Sequence, residues 1–230
     1  MSLKLATIFH KLFHSSEKQH KNLPPVLGNN NVLPESIPEG FTLSISGNNN
    51  RIEIGDKSGY FFQTQLVIEG NNNTVRIGNI KYMRYGRIYI NGNNQLLDIG
   101  DQTSSEGTRF HLCGDDSECI IGENCMIAAD TQIWTGDGHA IIDIQNLKVI
   151  NAKKFSVLVG SHSWIAEGAK LLKGAQLPCE SIVGASSVVT KRFSESCTII
   201  AGNPAKIIKR EVEWDRRSPF DKTLLNNFIK

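Results

Sequence analysis

The sequence predicts an all-β fold, a parallel β-helix wound as a prism, and two periodicities predict it. The first is a turn string, GNNN at 28–31, 47–50 and 70–73, GNNQ at 92–95 and GDDS at 114–117, whose glycines at 47, 70, 92 and 114 are 23, 22 and 22 residues apart. An isoleucine stands seven residues after each of these four glycines, at Ile54, Ile77, Ile99 and Ile121, and a glycine follows it every time. The second periodicity is an aliphatic at every sixth residue: Ile121, Ile127 and Ile133, then, after an interruption, Val159, Ile165, Leu171, Leu177, Val183 and Val189, with Glu195, Ala201 and Ile207 completing the series. A six-residue period makes no stripe on an α-helix of 3.6 residues per turn. It fits short parallel strands joined by tight corners, each strand stacking on its equivalent one coil later and burying an aliphatic inside.

The elements follow in order. Residues 1–27 form an N-terminal cap in which LKLATIFHKLFH (3–14) is expected to be a short amphipathic helix. Residues 28–117 are Asn-rich coils of the same β-helix, expected to carry longer corners, where Gly and Asn tolerate positive φ and stacked Asn side chains hydrogen-bond in ladders. Residues 118–210 form the hexad core. From Ile133 to Val159 is 26 residues where one step takes six, so about 20 residues loop out, over 137–155, and such an excursion from a regular solenoid is usually functional. Residues 211–230 form a tail, with SPFDKTLLNNFIK (218–230) expected to be helical and to cover the open end of the stack.

Composition narrows the functions. The chain has 230 residues, 40% hydrophobic and 21% charged, which suits a folded globular protein. A net charge of +2 argues against nucleic acid or a membrane surface as the main partner, although local Lys and Arg clusters can bind phosphate. Five cysteines, with no C-x-x-C pair, include three spaced six apart, Cys113, Cys119 and Cys125; a repeat explains them better than a metal, and reduced thiols fit a cytoplasmic protein. No apolar run reaches about 18 residues, no signal peptide is evident, and the amphipathic segment lacks the second signal that stable membrane attachment takes.

At the root of the excursion lies TGDGHAII (135–142), a lone histidine among glycines. Such a ring is unsheltered by its neighbours, which suits a proton-transfer group better than a core residue. The other histidines, His10, His14, His20, His111 and His162, have bland readings, and a zinc enzyme is excluded on spacing, since no second histidine flanks His139 or His162. Trp134, Trp214 and the tyrosines Tyr82, Tyr85 and Tyr89 are packing residues unless exposed, where an aromatic ring stacks on a sugar.

The hexad pattern resembles the hexapeptide-repeat acyltransferases, whose β-helix is left-handed; that handedness comes from the resemblance alone, since general rules favour right-handed crossovers. TGDGHAII resembles the segment of maltose and galactoside acetyltransferases that carries the catalytic base. SWIAEGAKLLKGA (163–175), IVGASSVVTKR (182–192) and IIAGNPAKIIKR (199–210) line up in order with that family's coenzyme A-binding coils. The resemblance implies His139 as general base and acetyl-CoA as donor, with no metal. It further implies backbone contacts from Ala166 and Ala185 to the pantetheine arm, Trp164 lining the same groove with Glu167 beside it, and Thr190, Lys191, Lys206 and Lys209 at the adenine and phosphate end, Arg210 substituting if the alignment slips by one. Asp137, Glu167 or a backbone carbonyl could orient the second ring nitrogen of His139. Two departures shift the expected coenzyme contacts: the family's Gly after Trp-Ile is Ala166, and its Pro-rich corner after Thr-Lys is Arg192-Phe193-Ser194-Glu195.

The Asn-rich coils are similar to those of O-acetyltransferases that modify capsular or lipopolysaccharide sugars, including the polysialic acid O-acetyltransferases. This implies a bacterial surface carbohydrate as acceptor and a homotrimer with sites at subunit boundaries. A non-catalytic β-helix scaffold, a small sugar or amino sugar acceptor, and a sugar nucleotidyltransferase are the alternatives; the last would need a Gly-rich nucleotide loop that GNNN turns do not supply.

Overall fold

Period-six patterning buries one aliphatic per strand only if three strands close a triangular coil, and that is the arrangement found. The structure is a computed structural model describing residues 26–152, 156–221, 223 and 224. The segment 3–14 lies outside them, as does most of 218–230, whose described residues form turns closed by Asp221 N–H to Ser218 C=O (2.9 Å) and Leu224 N–H to Asp221 C=O (3.1 Å).

Coil by coil the strands are β1 Phe41–Ser46, β2 Arg51–Ile54 and β3 Tyr60–Phe62; β4 Thr64–Glu69, β5 Thr74–Ile77 and β6 Tyr82–Arg84; β7 Arg87–Asn91, β8 Leu96–Ile99 and β9 Ser104–Glu106; β10 Arg109–Cys113, β11 Glu118–Ile121 and β12 Met126–Ile127. The fifth coil starts with β13 Gln132–Trp134, leaves the prism for the hairpin β14 Ile142–Asp143 and β15 Lys148–Val149, and returns as β16 Ser156–Val159 and β17 Trp164–Ile165. Then come β18 Lys170–Leu171, β19 Gln176–Leu177 and β20 Ser181–Val183, followed by β21 Val188–Val189, β22 Thr198–Gly202 and β23 Ala205–Arg210. Face one stacks β1, β4, β7, β10, β13, β18 and β21; face two stacks β2, β5, β8, β11, β16 and β19; face three stacks β3, β6, β9, β12, β17, β20 and β22. Every neighbour pair within the prism is parallel, and the fold is a left-handed parallel β-helix of about seven turns. Corner one joins face one to face two, corner two joins face two to face three, and corner three joins face three back to face one.

Inward residues stack in columns, one to each face, and those of faces one and two are apolar throughout. Leu66, Ile88, Phe110, Ile133, Leu171 and Val189 are in register on face one, and Ile77, Ile99, Ile121, Val159 and Leu177 on face two, none more than 4% exposed. The last hexads depart from the expected series. Ile200, not Ala201, pairs with Val183, and Phe193 rather than Glu195 turns inward at 8% exposure. A carboxylate cannot be buried unpaired, and Glu195 instead stays outside on Arg210, at 2.7 and 3.2 Å. Ile207 adds no further coil, because β23 folds back antiparallel on β22.

The N-terminal coils are also longer in a particular place, not at every corner. Leu66 to Ile77 spans eleven residues where the equivalent Leu171 to Leu177 spans six, while Ile77 to Met83 and Leu177 to Val183 both span six. The excess widens face one, where β1 and β4 have six residues against two in β18 and β21, and fills corner one with the GNNN turn. Only glycine opens that turn, because a Cβ on Gly70, at φ 148°, would lie 1.9 Å from the carbonyl oxygen of Gly92. Asn49, Asn72, Asn94 and Asp116 take the left-handed conformation at φ 56–59°. Beneath them an amide ladder runs inside the prism: Asn50 Nδ2 donates to Asn31 Oδ1 (3.0 Å), Asn73 Nδ2 to Asn50 Oδ1 (3.0 Å) and the Gln95 backbone N–H to Asn73 Oδ1 (2.9 Å). Ser117 Oγ then donates to Gln95 Oε1 (2.8 Å) and Thr135 Oγ1 to Ser117 Oγ (3.1 Å), which carries the ladder from coil to coil, although Gln95 Nε2 is left without a partner among the described residues.

Candidate active site

Gly136-Asp137-Gly138-His139 stands 22 residues after Gly114-Asp115-Asp116-Ser117 and is the sixth of these strings along the chain. In the four before it the fourth residue points inward: Asn50, Asn73, Gln95 and Ser117 are at most 3% exposed. In the sixth, Thr135 ends the inner ladder and His139 is exposed. The outer ladder ends one coil earlier for a chemical reason. Asp115 Oδ1 accepts from Asn93 N–H (2.8 Å) and Nδ2 (3.1 Å), but a carboxylate has no proton to pass to the next coil. Corner one is therefore free to open here.

Asn151 closes the neck of the opened corner. Its Nδ2 donates to Asp137 Oδ2 (2.8 Å) and to the backbone carbonyl of His139 (2.7 Å), while its Oδ1 accepts from Ile141 N–H (2.8 Å). Lys173, from the next coil, ion-pairs with Asp137 Oδ2. The hydrogen bonds from Lys173 and Asn151 hold the Asp137 carboxyl below the usual carboxylate range. Asp137 is thus engaged in the neck, and among the described residues the ring of His139 has no hydrogen-bond partner. Beyond the neck, Asp143 caps the hairpin turn through Gln145 N–H (2.9 Å) and Asn146 N–H (3.2 Å), and Ile144 and Leu147 project at 83% exposure.

The residues expected to hold the donor do not all come together. Ala166 and Glu167 lie at corner three, where Ala166 N–H donates to Val183 C=O (2.9 Å) and Glu167 C=O accepts from Ser186 N–H (2.8 Å); Ala185 is exposed at the same corner one coil later. Lys206 reaches this end of β22 opposite Ala201, and Lys209 pairs with Ile199 on face three. Arg210 is tied to Glu195. Thr190 and Lys191 leave β21 toward the other edge of face one, with the Lys191 ammonium 5.3 Å from the ring centroid of Phe193. His139 at corner one and the small-residue corner three are therefore separated within one chain by the width of face one, about 10 Å along the three-residue β13 alone. Glu167 lies at corner three, across face one from the His139 of its own chain.

Trp164 lies on face three in register with Met126 and Ile182. The tail covers this face: Trp214, 7% exposed, stacks on His162 (4.7 Å, 17°), donates Nε1–H to its carbonyl (2.8 Å) and lies 6.3 Å from the Trp164 ring. Arg216 reaches Ser104 Oγ (2.7 Å) and the Cys125 carbonyl (2.6 Å). Burial pushes the Cys125 thiol up to about 11, which suits packing rather than reactivity. Among the described residues no group of three His, Cys, Asp or Glu side chains is placed to hold a metal ion, and no helix is long and apolar enough to cross a membrane. Asn151, Lys173 and Arg216 were not expected from the sequence; the 22-residue spacing between GDDS and GDGH is the one signal in it that leads to the neck the first two build.

A left-handed hexad prism interrupted at one corner by a histidine-bearing loop defines an acyltransferase of the hexapeptide-repeat class. No established family profile matches the sequence. The chain is 33% identical over 204 residues to the polysialic acid O-acetyltransferase of Neisseria meningitidis, covering 87% of this chain and 93% of that protein. It is 36% identical over 110 residues to the polysialic acid O-acetyltransferase of Escherichia coli O1:K1, a match spanning 48% of this chain and only 35% of the relative's length. The crystal structure of the polySia-specific acetyltransferase NeuO superimposes with a TM-score of 0.72 at 30% identity, covering 89% of this chain and 82% of that one. The chain belongs to the hexapeptide-repeat O-acetyltransferase family that includes these polysialic acid enzymes.

Proposed function

We propose that the protein transfers an acetyl group from acetyl-CoA to a hydroxyl of a bacterial surface carbohydrate, a capsule or lipopolysaccharide sugar, with sialic acid polymers the first candidate. The observation that carries this is the exposed His139 at the root of a braced excursion, in a chain whose relatives are named for that reaction. His139 takes the proton of the acceptor hydroxyl as its oxygen attacks the thioester carbonyl. The tetrahedral oxyanion collapses, the carbon–sulfur bond breaks, and the imidazolium returns the proton to the departing coenzyme A sulfur. The donor lies along corner three, where Ala166 and Ala185 let backbone approach its flexible arm and Trp164 and Glu167 border it; Lys206 and Lys209 take the phosphate and adenine end.

Because corner one and corner three occupy opposite edges of a chain, the site is completed between chains in a homotrimer, His139 of one facing corner three of its neighbour. The protein acts in the cytoplasm, where acetyl-CoA is available. The test is coenzyme A release from acetyl-CoA in the presence of sialic acid polymers, their fragments and other capsule sugars. His139→Ala should lower turnover by roughly 100-fold or more with acetyl-CoA affinity nearly intact. Unchanged turnover would remove His139 from the base role, and a monomer in sedimentation at assay concentration would remove the shared site.

A further inference from the structure

The outer side of face one differs from the other two faces. Inward and outward side chains alternate along its strands, so outward residues stack in rows with successive coils about 4.8 Å apart. In the row nearest corner three, Gln65, Arg87, Arg109, Gln132 and Lys170 are in register, and the three cations are exposed. In the middle row Tyr89, His111 and Trp134 form an aromatic ladder, with centroids 5.1 Å apart at each step and planes at 44° and 77°. The row nearest corner one brings Glu69 and Asn91 alongside, Glu69 accepting from the Tyr89 hydroxyl (2.5 Å) and from Asn91 Nδ2 (3.1 Å).

At the margins of this ribbon Glu69 keeps those bonds and Asp130 lies 3.9 Å from Arg109. On face two Glu53, Arg76 and Asp98 pair with one another at 3.3 and 3.5 Å, and the C-terminal part of face three lies under Trp214 and Arg216. The ladder ends at Trp134, five positions before His139, where the wide N-terminal coils give way to the narrow C-terminal ones.

We infer that face one of the third to sixth coils is the acceptor track: a linear glycan bearing carboxylates runs along the prism axis, its acids on Arg87, Arg109 and Lys170 and its sugar rings on Tyr89, His111 and Trp134. The guanidinium fork matches a carboxylate in geometry as well as charge. Aromatic rings offer apolar faces to the C–H side of a pyranose. Burial lowers the pKa of His111, which keeps its ring neutral and stackable near pH 7. Asn91 supplies an amide to hydroxyls at the other margin. The N-terminal coils thereby hold the acceptor, the C-terminal coils the donor, and the loop with His139 stands between them. The route to His139 rests on the proposed function; the glycan binding does not.

The test measures binding of an α-linked sialic acid octamer by Trp fluorescence and calorimetry, beside a carboxyl-reduced octamer and a DNA oligonucleotide of equal charge. The intact protein should bind the acidic octamer, with affinity falling as salt rises, and favour it over both controls. Arg87→Gln with Arg109→Gln should weaken binding about tenfold and raise the octamer KM by a similar factor. Trp134→Ala should weaken it by a similar factor, and thermal unfolding checks that each variant is folded. Absence of octamer binding, equal binding of DNA, or an unaltered Kd in the double arginine variant would overturn the track. Octamer binding lost in that variant, in a protein without acetyl transfer to any sugar, would uphold the track and refute the proposed function.

Discussion

Asn151 is the residue on which the placement of His139 turns. It makes three hydrogen bonds, of 2.7, 2.8 and 2.8 Å, to groups belonging to residues 137, 139 and 141. Each is exposed, so the lower part of the usual range applies, about 0.5–1 kcal/mol net apiece and about 2 kcal/mol for the set. That is roughly a 30-fold shift of the neck toward its open form, and a misplacement of about 1 Å at a catalytic group costs on the order of 100-fold. Asn151→Ala should therefore lower kcat by about 10- to 100-fold. Affinity for acetyl-CoA should hold within about twofold, since corner three is untouched. Asn151→Asp keeps the acceptor for Ile141 N–H but sets a second carboxylate against Asp137, and should be at least as damaging. Steady-state release of coenzyme A, with loop protection followed by amide exchange, provides the assay. Full kcat in both variants while residues 137–141 exchange freely would refute the link between neck and catalysis.

Other outcomes follow from the same bonds. Asn73→Ala removes amide donors to Asn50 Oδ1 and the Gly92 carbonyl and an acceptor for Gln95 N–H, two of these bonds buried and that to Gly92 part-buried, and should cost about 3–5 kcal/mol in urea unfolding; under 1 kcal/mol would mean the ladder is dispensable. The folded-state pKa of Asp137 is depressed, so its bonds stabilise the neck above the ordinary carboxylate value of about 4, and that contribution is lost as pH falls through the lowered value. NMR of the Asn151 side-chain amide should report that loss on acidification, and Asp137→Asn should abolish the dependence. Trp214→Ala should cost about 3 kcal/mol and expose Trp164 to fluorescence quenchers; an unchanged Trp164 signal would place the tail elsewhere.

The prism was legible because Ile77, Ile99 and Ile121 and the hexads from Val159 to Val189 obey one constraint, one aliphatic inside per strand, that tolerates few exceptions. The last hexads misled because Glu195 and Ile207 keep the spacing but not the chemistry, one held outside by Arg210 and the other carried on a reversed strand. His139 stood out through its glycine neighbours, yet its corner was not recognised as a sixth turn of the GNNN series, since Asp137, Gly138 and His139 replace all three amides of that string. Asn151 and Lys173 act across 14 and 36 residues from Asp137, distances at which no local pattern ties side chains together. The cation and aromatic rows of face one emerge only from inter-coil register, because along the chain Arg87, Arg109 and Lys170 look like scattered surface charges.

Mixing two inactive variants tests most directly whether His139 serves a donor held at corner three of another chain. His139→Ala disables the base, and Ala185→Trp fills the exposed small-residue corner; each alone should be inactive. Co-expressed at equal amounts, and shown by mass spectrometry to form mixed trimers, they should recover about a quarter of wild-type acetyl transfer, the share of boundaries joining an intact histidine to an intact corner. No recovery in proven mixed trimers would contradict the shared site.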